Sequence, residues 1–191
     1  MPNWCENYIT IEPIKKDGLK NLIKTIKNGT DEYLFARIFG DVKDYRETFG
    51  TKWDVEMSEA DINGYMGELD ELWEDDSFLT INIHTAWSPC LGFSQKLSEK
   101  YGLSITHQYF EGGNDFSGEF SFRNGEVIEE QEYNFLEGLY KLDNERFYGE
   151  AMYQAECTET MEEFLEKFLF VDVSTIEKLE EIYNEQKAIK N

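Results

Sequence analysis

Apolar and polar residues alternate over NYITIEP, with Ile9 and Ile11 on one side and Tyr8, Thr10 and Glu12 on the other, the period of two expected of a half-buried strand. The pattern predicts a strand that starts near Asn7 and ends at Pro13. Over residues 17–28 the period lengthens: Leu19, Leu22, Ile23 and Ile26 share a helical face opposite lysines, and Gly29 stands at the C-cap. Residues 78–87 alternate again as a central strand. Ser88 and Pro89 then open a helix running to about Tyr101 and stopped by Gly102. LSITHQYF, DFSGEFSF and EVIEEQEY follow, separated by the turn signals GGN and RNG, and read as an antiparallel meander. After residue 133 the pattern turns helical. It gives a helix over 135–142, then capping boxes at Thr160 with Glu163 and Ser174 with Glu177. Phe164, Leu165, Phe168 and Leu169 form one apolar stripe, and Ile176, Leu179, Ile182 and Tyr183 another.

One segment fits neither period cleanly. DVEMSEADINGYMGELDELWEDD, residues 54–76, holds ten carboxylates and no Lys or Arg. Ser58 with Asp61 imitates a capping box, and Ile62, Met66, Leu69 and Trp73 fall at helical spacing, although Gly64 and Gly67 each weaken a helix by about 1 kcal/mol. The reading is an inserted acidic helix over about 57–76 with its carboxylates on solvent. The predicted fold is therefore α+β: a ferredoxin-like antiparallel sheet with helices on one face in residues 1–133, and a C-terminal helical extension, 134–191, packed on it.

Charge sharpens this outline. The formal charge is -22, and it is unevenly placed: +1 over residues 1–53, -10 over 54–76, -1 over 77–125 and -12 over 126–191. Such a field repels DNA, RNA and anionic membranes within roughly 8–10 Å at physiological salt and attracts basic proteins. With 40% hydrophobic and 15% aromatic residues, the chain is too apolar for an acidic disordered protein and is expected to fold. Cys5, Cys90 and Cys157 are odd in number and widely spaced, so they read as reduced, buried thiols rather than disulfides or a zinc site. No leader pattern opens the sequence and no window approaches the ~18 apolar residues of a membrane span; a soluble, cytoplasmic protein without membrane contact is expected.

Three tryptophan-centred motifs, MPNWCEN at the start, FGTKWD at 49–54 and TAWSPC at 85–90, precede YFEGGNDFSGEF at 109–120. Together they resemble the YubB-type ferredoxin-like domain family carried by phages and plasmids, over roughly residues 1–125. The family pattern usually has a second proline where this chain has Cys90, and a shorter link after TKWD. The resemblance implies the fold and a mobile-element setting, and hands over no mechanism. The residues that match it are Trp4, Asn7, Lys52, Trp53, Asp54, Trp87, Ser88 and Glu111. They could line a pocket with aromatic walls, or the tryptophans could pack the seam between sheet and helices while Asn7, Asp54 and Ser88 cap backbone groups.

Catalytic chemistry finds little support. A Cys–His nucleophile would need Cys90 beside His84, with a third group orienting the imidazole; His84 and His107 read more simply as structural strand residues. Asp61, Asn63 and Gly64 fail the calcium-loop order at its third ligand, and Asp115 and Glu119 lack the lysine of an E-x-K nuclease site, where Ser121 stands. Gly112 and Gly113 mark a turn, and no glycine-rich phosphate cradle exists. No metal, cofactor or catalytic residue is expected. The leading expectation is a non-enzymatic protein that binds and inhibits a basic host defence protein, itself nucleic-acid-binding, by nucleic-acid mimicry of the anti-restriction or anti-CRISPR kind. Its contact residues are expected to be Glu56, Glu59, Asp61, Glu68, Asp70, Glu71, Glu74, Asp75 and Asp76, with further carboxylates of residues 126–185. The alternative is a small-ligand or enzymatic domain built on the tryptophan motifs, with the acidic surface incidental.

Overall fold

The computed structural model describes residues 3–64 and 78–189. The chain divides into two compact units, Met1–Asn114 with Gly118–Glu132, and Asp115–Ser117 with Tyr133–Asn191.

The first unit opens with β1 (Trp4–Pro13), whose alternate residues Cys5, Asn7, Ile9 and Ile11 are buried. Helix α1 (Lys16–Asn28) buries Leu19, Leu22, Ile23 and Ile26. Two short helices follow, α2 (Leu34–Phe39) and α3 (Tyr45–Phe49), then β2 (Asp61–Gly64), β3 (Leu79–Ala86), α4 (Leu91–Tyr101), β4 (Leu103–Glu111), β5 (Phe116–Arg123) and β6 (Glu126–Tyr133). The sheet order is β2-β3-β1-β4-β5-β6, and β1 is antiparallel to both β3 and β4. Taken as β1-α1-β2-β3-α4-β4, this is the split βαβ arrangement of a ferredoxin-like fold, extended past β4 by the β5–β6 meander.

One face of the sheet carries the core. Ile9 and Ile11 of β1, Leu79, Ile81 and Ile83 of β3, and Leu103 and Ile105 of β4 pack with α1, α4 and the short helices. Phe35, Phe49 and Phe93 form its aromatic centre, with Phe35 stacked on Phe93 at 4.3 Å between ring centroids. This triad takes the seam that one of the two alternatives gave to the tryptophans. The helices α2 and α3 were not anticipated because each is barely one turn and a half, too short to display a period. Asp54 holds the first of them from a distance: its carboxylate accepts from the backbone N–H of Phe35 and of Ala36, both at 2.8 Å.

The expected acidic helix over 57–76 requires correction. Residues 61–64 are β2, the second strand of the ferredoxin-like fold, paired so that Ile62 faces Ile81 and Asp61 faces Asn82. Ile62 packs against the core while Asp61 and Asn63 are exposed, a period of two too brief to stand out against the helical spacing downstream. Ser58 caps no helix; Glu56 to Glu59 form a turn, with the Glu59 N–H donating to the Glu56 carbonyl at 2.9 Å. The rest of that prediction, Met66, Leu69, Trp73, Glu68, Asp70, Glu71, Glu74, Asp75 and Asp76, lies outside the described residues.

The second unit contains α5 (Phe135–Leu142), α6 (Asn144–Cys157), α7 (Met161–Glu166) and α8 (Val173–Ile189). Its core is Leu139, Phe147, Ala151, Ala155, Phe164, Phe168, Leu179 and Tyr183, with Phe164 5.0 Å from Phe168 and 5.4 Å from Tyr183 between centroids. Asn134, Asp143 and Thr160 cap α5, α6 and α7 by accepting from the N–H three residues on, which is the N-cap geometry. At α8 the cap is Asp172, which accepts from Thr175 N–H at 2.8 Å, not Ser174, whose hydroxyl donates to the same carboxylate. Leu169, assigned to an apolar stripe, is exposed, and so is Cys157, expected to be buried.

Helix α4 crosses α3 so closely that a Cβ on Gly92 would lie 2.7 Å from the Thr48 carbonyl oxygen and 2.9 Å from the Phe49 Cα. Both neighbours are backbone and cannot swing aside. Gly92→Ala is therefore expected to lower unfolding stability by about 1–3 kcal/mol, despite alanine's better helix propensity; a denaturant midpoint equal to wild type would show that the crossing relaxes freely.

Candidate functional site

The three tryptophan motifs converge at one end of the first unit because a single buried side chain gathers them. Asn7, 1% exposed on β1, donates through Nδ2 to the Cys5 carbonyl at 2.8 Å and the Thr85 hydroxyl at 2.9 Å. Its Oδ1 accepts from the Cys90 N–H at 3.1 Å and meets His107 Nε2 at 3.0 Å. The Cys90 amide can only donate, so the oxygen must point that way and His107 must carry its proton on Nε2. His107 Nδ1 is then the acceptor for the Ser94 hydroxyl, 2.8 Å away. The Thr85 hydroxyl passes on to the Ser88 carbonyl, and the Ser88 hydroxyl to the Gly50 carbonyl in FGTKWD. Burial drives the His107 pKa down to about 3, so the ring is neutral at physiological pH.

This arrangement answers the nucleophile question. Cys90 does stand in a network with a histidine, but with His107 rather than His84, and Asn7, Thr85, Cys90, Ser94 and His107 are all buried. Burial pushes the Cys5 and Cys90 thiols well above their ordinary range, which disfavours the reactive thiolate. The network ties segments together. Glu111 has the same kind of role: at 3% exposure, its carboxylate accepts from the N–H of Gly113 and of Asn114 at 2.8 and 2.7 Å and shapes the GGN turn.

The indoles of the same motifs point the other way. Trp4, Trp53 and Trp87 are 51%, 46% and 43% exposed, which overturns the expectation that they pack the seam. Lys52 places its ammonium 4.5 Å from the centre of the Trp53 ring. Trp87 has φ +74°, a left-handed conformation that a bulky residue adopts only when its surroundings impose it; here its N–H donates to the Asn3 carbonyl at 2.9 Å.

Beside Trp4 the outer face of the sheet is hollow. A cavity of about 490 Å³ is lined by Trp4, Glu6, Glu59 and His84. A second of about 250 Å³ shares Glu6, Glu59 and His84 and runs on to Tyr8, Asp61 and Asn82. Strand register explains the grouping: Glu6 is opposite His84, Tyr8 opposite Asn82, and Asn82 opposite Asp61, so all stand on the face away from the core. Of the predicted contact residues, Glu59 and Asp61 come together here; Glu56 is exposed and pairs its backbone with Tyr33. Asp61 joins Asn63 and Asn82 through side-chain hydrogen bonds of 2.7 and 3.4 Å. The groove was missed in the sequence, although the outward period of Trp4, Glu6 and Tyr8 on β1 was a signal for it.

Among the described residues, no group of three or more His, Cys, Asp or Glu is placed to hold a metal ion, and no helix is long and apolar enough to cross a membrane. Asp115 accepts from the Phe135 N–H at 3.0 Å and Glu119 from the Gln108 amide at 2.7 Å.

Residues 68–149 match the family model for the ferredoxin-like domain in Api92-like protein, in agreement with the strand order described above. A solved structure, protein api92 from Yersinia pseudotuberculosis, is similar at 10% identity over 70% of this chain and 99% of that chain, with a TM-score of 0.43. No curated protein matches the sequence.

Because His107 binds a proton more weakly folded than unfolded, acid favours the unfolded state between about pH 6.5 and pH 3, and stability rises with pH across that window. The slope from this residue approaches about 1.4 kcal/mol per pH unit. A His107→Gln variant is expected to show a shallower decline than wild type from pH 6.5 to 5, followed by denaturation at each pH; parallel curves would mean that His107 does not titrate with unfolding.

Proposed function

We propose that this is a non-enzymatic binding protein of phage or plasmid type, related to YubB-type proteins, that acts in the host cytoplasm. Its carboxylates engage the nucleic-acid-binding surface of a basic host defence protein and block it by imitating phosphates. The observation that carries the reading is a carboxylate surplus displayed on ordered structure. With 40 acidic against 18 basic side chains, 22 negative charges have no side-chain cation to balance them. Strand β6 is exposed from Glu126 to Glu132, bringing Glu126, Glu129, Glu130 and Glu132 to solvent on a regular backbone. Like charges at this density destabilise the compact state, and a complementary partner relieves the repulsion while steering fast association. The sealed Asn7–His107–Cys90 network supports the non-enzymatic side of the reading.

The exposed tryptophans and the hollow beside Trp4 favour a second reading, a small-ligand site on the outer sheet face with the charge incidental. The two separate on competition. In the first, a nucleic-acid-binding protein captured from host lysate is released by rising salt and by added duplex DNA. Replacement of Glu126, Glu129, Glu130 and Glu132 by Gln, together with neutralisation of Glu68, Asp70, Glu71, Glu74, Asp75 and Asp76, weakens capture at least tenfold. Capture that survives those replacements, or that DNA does not compete, refutes mimicry.

A further inference from the structure

The groove beside Trp4 has a chemistry of its own. One wall is an indole with half its surface exposed, and the other described lining residues are two carboxylates, Glu6 and Glu59, and His84. Its continuation adds Asp61. Among the described residues, no Lys or Arg lines either part. The pieces are held in place: Glu6 accepts from the Tyr8 hydroxyl at 2.9 Å, Asp61 is tied to Asn63 and Asn82, and Trp4 lies on a strand paired to Ala86.

Spacing selects among cations. Side chains two residues apart on one strand face lie roughly 7 Å apart, so Trp4 and Glu6 flank a slot in which a flat cation can stack on the ring and reach a carboxylate with its edge. Guanidinium has that shape: it is planar, weakly hydrated, stacks on aromatic faces and presents a fork of N–H donors that matches a carboxylate. An ammonium is a compact, strongly hydrated point charge with no face to stack. Both hollows are open on an exposed sheet face, which suits a side chain entering from a protein surface.

We infer that the groove formed by Trp4, Glu6, Glu59, Asp61 and His84 receives an arginine side chain of the basic partner, stacked on the Trp4 indole with its guanidinium directed to Glu6 and Glu59. This rests on the reading of the protein as a binder of basic proteins and adds to it a defined pocket and a residue preference. General charge attraction is spread over the surface and treats Arg and Lys alike; the groove separates them.

The test titrates a short arginine-rich peptide and its all-lysine counterpart into the full chain, following the Trp4 indole N–H resonance, assigned by its loss in Trp4→Phe. The arginine peptide is expected to shift that resonance and bind several-fold tighter than the lysine peptide. Trp4→Ala should weaken it about fivefold, Glu6→Gln with Glu59→Gln about tenfold, and Trp4→Phe should restore most of the loss. Thermal midpoints within a few degrees of wild type show that each variant folds. Equal binding of the two peptides, or unchanged affinity in both the Trp4→Ala and the paired Glu variants, overturns the groove. The partner capture described above is scored separately. If DNA-competed capture depends on the β6 glutamates but not on Trp4, mimicry stands and the groove falls. If Trp4 selects arginine while no DNA-competed partner is captured, the groove stands and mimicry falls.

Discussion

A carboxamide buried in the middle of a sheet must find partners for two donors and two acceptor lone pairs, because leaving any of them empty forfeits about 1–3 kcal/mol. Asn7 meets this demand with groups from four segments: Cys5 on its own strand, Thr85 on β3, Cys90 at the start of α4, and His107 on β4. Those contacts span up to 100 residues of sequence. They fix where β3 hands over to α4, and through Thr85, Ser88 and Gly50 they fix the FGTKWD loop as well. The placement of the surface tryptophans follows, since each is attached to a residue whose polar side chain or backbone is held inside.

The motifs therefore have two sides with different tasks. Asn7, Asp54, Ser88 and Glu111 face inward and satisfy backbone groups, as a structural reading of such residues expects. Trp4, Trp53 and Trp87 face outward. A chain with 14 phenylalanines has no need of tryptophan to fill its core, and Phe35, Phe49 and Phe93 do so without an indole N–H to satisfy. The exposed rings are thus available for contact, next to a sheet face whose outward residues are polar and acidic.

Charge adds the second constraint. A surplus of 22 negative charges must be carried without dismantling the fold, and the units that carry it are held by apolar cores: the Ile- and Phe-rich layer under the sheet, and the cluster around Phe147, Phe164 and Phe168. Within those cores the described ionisable groups are few and kept neutral or bonded. His107 is neutral by burial and Glu111 is bound by two backbone amides. On β6, Glu126, Glu129, Glu130 and Glu132 stand where water screens them.

Periodicity alone was enough for β1, α1, β3, α4 and the β4–β5–β6 meander, because each runs for eight residues or more between clear breakers and the apolar spacing repeats several times. Local pattern was also enough for the cap at Thr160 and for the acidic imbalance, which are local or additive properties. Periodicity failed where an element is short or its partner distant. β2 has four residues and becomes a strand because the edge of β3 offers it hydrogen bonds, a circumstance that no local pattern records. α2 depends on a carboxylate 18 residues away. The identity of the histidine beside Cys90, the outward turn of the tryptophans and the groove of Trp4, Glu6, Glu59 and His84 all depend on which strands lie side by side. The sequence by itself determined the longer strands and helices of the sheet domain, the sheet-and-helix class and the sign of the charge; the tertiary structure decided the short elements and what faces what, because strand register and burial are settled by contacts between residues far apart in the chain.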